Sequence, residues 1–171
     1  MIHGLIRRAN NYFAGLNAIR DYQVSNIINL EHEFLSSNTI TPGEASQLVK
    51  KLERRWGVMV IQIYPEYKFY DDNTLGESWA VSKRVAAINI PVDYLYPYTV
   101  VHEYSHCVVE CFREFHTKTL KEPGHGPLWA GVYKYNMAVG LQVDMTDLFE
   151  EHKIKTVSPD IVADLKTFFR P

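Results

Sequence analysis

Apolar residues along this chain recur first at helical and then at strand spacing. Over the first 35 residues Ile2, Leu5, Ile6, Phe13, Leu16 and Ile19, then Val24, Ile27, Ile28, Leu30 and Phe34, predict helix without fixing where it breaks. Thr41-Pro42-Gly43-Glu44 opens the next helix: Thr caps, Pro takes the first turn, where its missing N–H is no loss, and Glu three residues on completes a capping box. That helix should run to Trp56 and stop at Gly57.

From Val58 the period shortens. Val58, Met59, Val60, Ile61 and Ile63 predict a strand ended by Tyr64-Pro65. Ser78 to Ser82 and Val85 to Ile90 predict two more, with Lys83-Arg84 as a hairpin turn, and the three together predict a small antiparallel sheet. The stretch from Tyr98 to Phe115 lacks Gly and Pro and carries Val100, Val101, Cys107, Val108, Cys111 and Phe112, the pattern of a buried helix. A loop from Thr117 to Gly126 leads to a helix that opens at Pro127 and runs to Gly140, and Ser158-Pro159-Asp160 starts a last helix reaching Phe169. The fold class is therefore expected to be α+β.

The composition adds limits. At 171 residues, 46% hydrophobic and 22% charged, the chain reads as one domain over 1–171 that buries its own core, not as a disordered, collagen-like or coiled-coil sequence. Eleven Tyr, eight Phe and three Trp read first as core packing rather than as a base-stacking surface. Eighteen Lys and Arg stand against 20 Asp and Glu, evenly spread, so no basic block marks a nucleic-acid footprint. Lys50, Lys51, Arg54 and Arg55 read as a solvated helix face or, at most, a local patch. No segment has the apolar length of a secretory signal or membrane span, which leads us to expect a cytoplasmic protein without membrane association. Cys107 and Cys111, one helical turn apart, are expected to be reduced and buried.

The chemistry is concentrated in His102-Glu103-Tyr104-Ser105-His106, an HExxH motif inside the predicted buried helix. Residues four apart share a helix face about 6 Å between Cβ atoms, so both imidazoles can reach one zinc while Glu103 projects beside it toward a water molecule. A chain of this composition produces the pentamer by chance about 0.02 times. Two histidines do not complete a zinc site. Glu110 is too far along the helix, about 12 Å from His102 by helical rise, and the sequence lacks the third histidine of an HExxHxxGxxH metzincin. His125, bracketed by Gly124 and Gly126 ahead of Pro127, is the first candidate, because the glycines allow close backbone approach. Behind it stand His116, a downstream carboxylate and His152, while His3, His32 and His152 taken singly read as ordinary surface or core histidines.

HEYSH followed 19 residues later by His125 in GHGPLW resembles the SprT-like (Spartan-type) metallopeptidases, which pair HExxH with a later HGxxF or HGxxW signature. The stretch from Val85 to Trp129 follows the family's order of strand, HExxH helix, loop and ligand segment. The resemblance implies a zincin-like domain with its sheet packed on the HExxH helix, zinc held by His102, His106 and His125, Glu103 as catalytic base, and Trp129 packing the ligand loop. It also implies hydrolysis of protein or peptide substrates, including ones associated with DNA. The chain departs from the family in lacking the Cys pairs of a C-terminal zinc ribbon and any basic tail, so DNA association is expected to be weak or indirect. Substrate is expected to lie as an extended strand along an edge formed by Val85 to Ile90, with Tyr133 and Tyr135 as candidates to stabilise the oxyanion. Two rival readings are a non-catalytic module stapled by zinc and a metal-free domain with core histidines. Three ligands rather than four favour an open, catalytic site over the staple.

Overall fold

The computed structural model describes residues 2–13, 20–35, 38–67, 75–117, 119–120 and 124–170, so the expectations for Leu16, Ile19 and Pro123 lie outside the described residues. Among the described residues the chain order is α1 (Ile2–Phe13), α2 (Arg20–Phe34), α3 (Pro42–Trp56), β1 (Met59–Ile63), β2 (Glu77–Ser82), β3 (Val85–Asn89), a 3-10 turn (Val92–Tyr94), α4 (Pro97–Phe115), α5 (Pro127–Leu141), α6 (Thr146–Glu151) and α7 (Pro159–Phe169). The class is α+β, as the sequence indicated.

Local chemistry sets the ends of α3. The Thr41 hydroxyl accepts the Glu44 N–H at 3.2 Å and the Glu44 carboxylate accepts the Thr41 N–H at 2.8 Å, the reciprocal pair expected of a capping box. Gly57 ends the helix at φ +73°, a left-handed conformation that costs glycine little. A Cβ there would lie 3.1 Å from the Phe169 carbonyl oxygen, so the same glycine lets the ends of α3 and α7 meet.

The sheet departs from expectation. β2 and β3 form the predicted antiparallel hairpin, but β1 pairs with β3 in parallel, giving a mixed sheet ordered β1-β3-β2. Val85–Asn89 is thus the central strand, and it offers no free edge to a substrate. The reason lies in the side chains. Ala86, Ala87 and Ile88 are buried on consecutive positions, so both faces of β3 are covered, whereas β1 and β2 alternate between exposed and half-buried positions as flanking strands do. Among the described residues, β2 is the edge strand that packs on the HExxH helix.

Helix α4 packs against β2, β3, α3 and α5 and supplies much of the core. A buried polar chain fixes it: Trp56 Nε1 donates to Asn136 Oδ1 at 2.6 Å, Asn136 Nδ2 to Ser105 Oγ at 3.0 Å, and Ser105 Oγ to the Val101 carbonyl at 2.7 Å. Each polar atom in that chain has a hydrogen-bond partner, so burial is compatible with stability and the register of α3, α4 and α5 is specified. The Tyr104 hydroxyl donates to the Val58 carbonyl at 2.8 Å, pinning the same helix to the entry of β1. Cys107 and Cys111 are free and buried, as expected. The sequence pattern missed α6. It is a six-residue helix begun by Asp144, whose Oδ1 accepts the Thr146 N–H at 2.9 Å and hydroxyl at 2.6 Å, and closed onto the core by Phe149.

Candidate metal centre

His102 and His106 stand one turn apart on α4, and His125 enters from the segment that Gly126 and Pro127 turn into α5. The flanking glycines do not act as the sequence suggested. A Cβ on Gly124 would meet nothing within 4 Å, and Gly126 has an ordinary φ of −73°. The His125 backbone is held instead by Gln23 of α2, whose Nε2 donates to the His125 carbonyl at 2.9 Å.

The three Nε2 atoms converge. They lie 3.2 Å (His102–His106), 3.1 Å (His106–His125) and 3.0 Å (His125–His102) apart. Nitrogens sharing one tetrahedral ion at 2.0 to 2.1 Å stand about 3.3 Å from one another, so the three side chains fit a single metal with only a small adjustment. His102, His106 and His125 can therefore hold a metal ion. Trp129 floors the site, with ring centroids 4.8, 5.0 and 4.7 Å from those of His102, His106 and His125. Its own ring stacks on Tyr133 at 4.9 Å.

The electrostatics suit a cation. Burial, reinforced by the neighbouring His102, drives the His125 imidazole down to about 3 and holds His106 well below its ordinary value, so both present neutral lone pairs at neutral pH. Burial also works to lower His102, but the Glu31 carboxylate and its hydrogen bond outweigh it and the net direction is up.

Glu103 is 6% exposed, and burial raises its carboxyl above the ordinary range while His102 and the Ser78 hydroxyl act to lower it. Ser78 Oγ donates to Glu103 Oε2 at 2.8 Å. The other oxygen faces Gly76, where an added Cβ would lie 3.1 Å from Glu103 Oε1 and Cγ. Beside this centre runs a cleft of about 610 Å³, lined by Ser78 and Trp79 of β2, Ile28 and Glu31 of α2, Tyr98 of α4 and the histidines.

Glu31, 6% exposed, is the group the sequence reading missed: its Oε1 lies 2.7 Å from His102 Nδ1. The signal was present as an acidic residue four positions after Ile27 and directly after Leu30, in the stripe that α2 buries.

Other candidates fall away. His116 packs edge-on against Phe168 at 4.6 Å, with Nε2 3.0 Å from the Lys83 carbonyl oxygen. Glu110 lines the cleft but is paired with Arg113. His152 lies at the C-terminus of α6, where its carbonyl accepts from Asn26, and His3 is exposed on α1. Tyr133 is fully buried beneath Trp129, and Tyr135 is bonded to Lys166 at 3.0 Å; neither lines the cleft, so neither is placed to stabilise an oxyanion there. Among the described residues no helix is long and apolar enough to cross a membrane.

Comparison of the chain with protein-family models, curated proteins and solved structures finds no significant match.

Proposed function

We propose that this protein is a zinc-dependent endopeptidase of the SprT-like, zincin-like type, in which His102, His106 and His125 hold the metal and Glu103 is the catalytic base. The observation that carries this reading is the convergence of three imidazole nitrogens within 3.2 Å, next to a buried carboxylate that faces the same open cleft. A zinc ion so held supplies Lewis acidity, polarising a scissile carbonyl and acidifying a water molecule toward a pKa of about 7.

The protein's own groups account for the rest. Glu103 accepts the proton of the attacking water and returns it to the leaving amine. Ser78 occupies one carboxylate oxygen and leaves the other for the water. Among the described residues no strand pairs with the outer edge of β2, which runs beside Glu103 and where an extended peptide can add as a strand through main-chain hydrogen bonds, with Trp79, 43% exposed, offering apolar contact. Such binding reads backbone more than sequence, which suits protein substrates of varied kind, including proteins held on DNA.

The deciding experiment pairs metal content with the Glu103→Gln variant. Protein purified without chelator is expected to carry close to one zinc per chain. The variant should keep that zinc and its fold while cleavage of an unfolded protein substrate drops by about 10² or more. Wild type that carries zinc yet cleaves nothing would favour the zinc-stapled binding module, and equal cleavage by the variant would remove Glu103 as base.

A further inference from the structure

The ligands of the metal reading come from α4 and the His125 segment, and α2 supplies none of them. Yet the buried side of α2 carries polar groups among Ile27 and Leu30. Gln23 and Glu31 are 5% and 6% exposed, where a helix held only by packing would place apolar residues. Both reach the metal centre. Gln23 Nε2 donates to the His125 carbonyl at 2.9 Å and to the Lys155 carbonyl at 3.1 Å, and its Oε1 accepts the Lys155 N–H at 3.3 Å. Eight residues on, Glu31 Oε1 lies 2.7 Å from His102 Nδ1.

That contact has one polarity. A carboxylate oxygen has no hydrogen to give, so Nδ1 is the donor. A neutral imidazole carries one N–H, which leaves His102 Nε2 with a bare lone pair, 3.2 Å from His106 Nε2 and 3.0 Å from His125 Nε2. Without this partner His102 is free to take the other tautomer, or to rotate and withdraw its lone pair from the site. A negative charge one imidazole away from a dication also strengthens the ligand's donation.

We propose that Glu31 is a positioning residue of the metal centre, fixing His102 as an Nε2 ligand, and that α2 is the arm that holds two ligands at once, with Gln23 securing the backbone of His125. This rests on the metal reading above. Glu31 touches neither the reacting atoms nor the ion; it acts through His102.

The test measures metal affinity, separately from peptidase activity. Apoprotein is titrated with zinc against a chromophoric chelator, and with cobalt while the visible absorption of the bound ion is followed. Glu31→Gln keeps an acceptor for Nδ1–H but loses the charge, and zinc affinity is expected to fall about 10-fold. Glu31→Leu keeps most of the volume but removes the acceptor, and the expected loss approaches 100-fold, with cobalt bands altered in position and intensity. Circular dichroism of the apoproteins establishes that each variant is folded; if the Leu variant is not, the Gln variant decides alone.

Wild-type affinity and cobalt spectrum in Glu31→Gln and, where folded, Glu31→Leu would overturn the inference while leaving the three-histidine site intact. So would equal weakening by Gln and Leu that tracks only a lower melting temperature, since lost packing does not distinguish an acceptor from a methyl group. A wild-type protein that binds neither zinc nor cobalt ends the metal reading itself, and this inference with it.

Discussion

Ser78 on β2 donates its hydroxyl hydrogen to Oε2 of Glu103 on α4 across 2.8 Å, joining the sheet's outer strand among the described residues to the buried carboxylate of the HExxH motif. A hydrogen bond to a charged group is worth about 1.5 to 3 kcal/mol, and here it also fixes the rotamer of the carboxylate proposed above as the base. Ser78→Ala is therefore expected to lower kcat about 10-fold with zinc content unchanged. Unaltered kcat in steady-state assays of this variant would show that the carboxylate needs no such anchor.

Gly76 makes the same point by shape. A methyl group there would stand 3.1 Å from Glu103 Cγ and Oε1 and from Ile90 Cγ1, closer than ordinary van der Waals contact. Gly76→Ala should displace the carboxylate and reduce cleavage by more than 10-fold, since small misplacements of a reacting group cost about 10². Zinc binding should survive, because no histidine is touched. Full activity in the alanine variant would mean that the β2 backbone yields instead.

Metal content discriminates between the histidines. His125→Ala should lose most of its zinc, because two imidazoles one helical turn apart bind weakly without a third ligand. His116→Ala should keep it, since that ring packs among Phe112, Phe168 and Phe169. Elemental analysis of the two purified variants settles the ligand set; the reverse pattern would reject it.

Alkaline stability follows from the buried thiols and phenols. Burial pushes Cys111 up to about 12 and Cys107 well above its ordinary value, and raises Tyr104 and Tyr133 well above theirs. These groups keep their protons in the native state above about pH 9, where the unfolded chain gives them up. The native state then binds more protons than the unfolded one, so stability falls as pH rises. Urea midpoints should be highest below about pH 9 and fall steadily toward pH 11. Midpoints constant across that range would contradict the expectation.

Intrinsic DNA affinity should be weak. The chain carries a formal charge of −2, and the basic cluster on α3 is thin: Lys50, Arg54 and Arg55 are exposed, while Lys51 is half-buried with Nζ on the Gly140 carbonyl at 3.2 Å. Each phosphate neutralised adds about 0.9 to the salt slope on duplex DNA, so a slope of about 3 or less is expected in titrations of labelled duplex at low and moderate salt. A steep slope with DNA-stimulated cleavage would show that α3 belongs to a larger basic surface.

Local chemistry made much of this protein legible in the sequence. The Thr41–Glu44 box and Gly57 delimit α3 because a cap and a left-handed residue act within one turn, and HEYSH places His102 and His106 together because residues four apart share a helix face. The Lys83-Arg84 turn fixes the β2–β3 hairpin for the same reason of short range. What the sequence left undecided depends on partners distant along the chain. β1 lies parallel to β3, and no short turn joins the two, so nothing local in the sequence sets that pairing or its direction; the consecutive burial of Ala86, Ala87 and Ile88 says only that both faces of β3 are covered. His125 reaches the centre through Gln23, 102 positions away, rather than through its glycines, and Glu31 meets His102 across 71 positions. A carboxylate in an apolar stripe shows from sequence that it needs a partner once buried. Only the packing of α2 on the three histidines decides that the partner is an imidazole, since the penalty for burying a carboxylate is relieved wherever the fold brings a donor within hydrogen-bond distance.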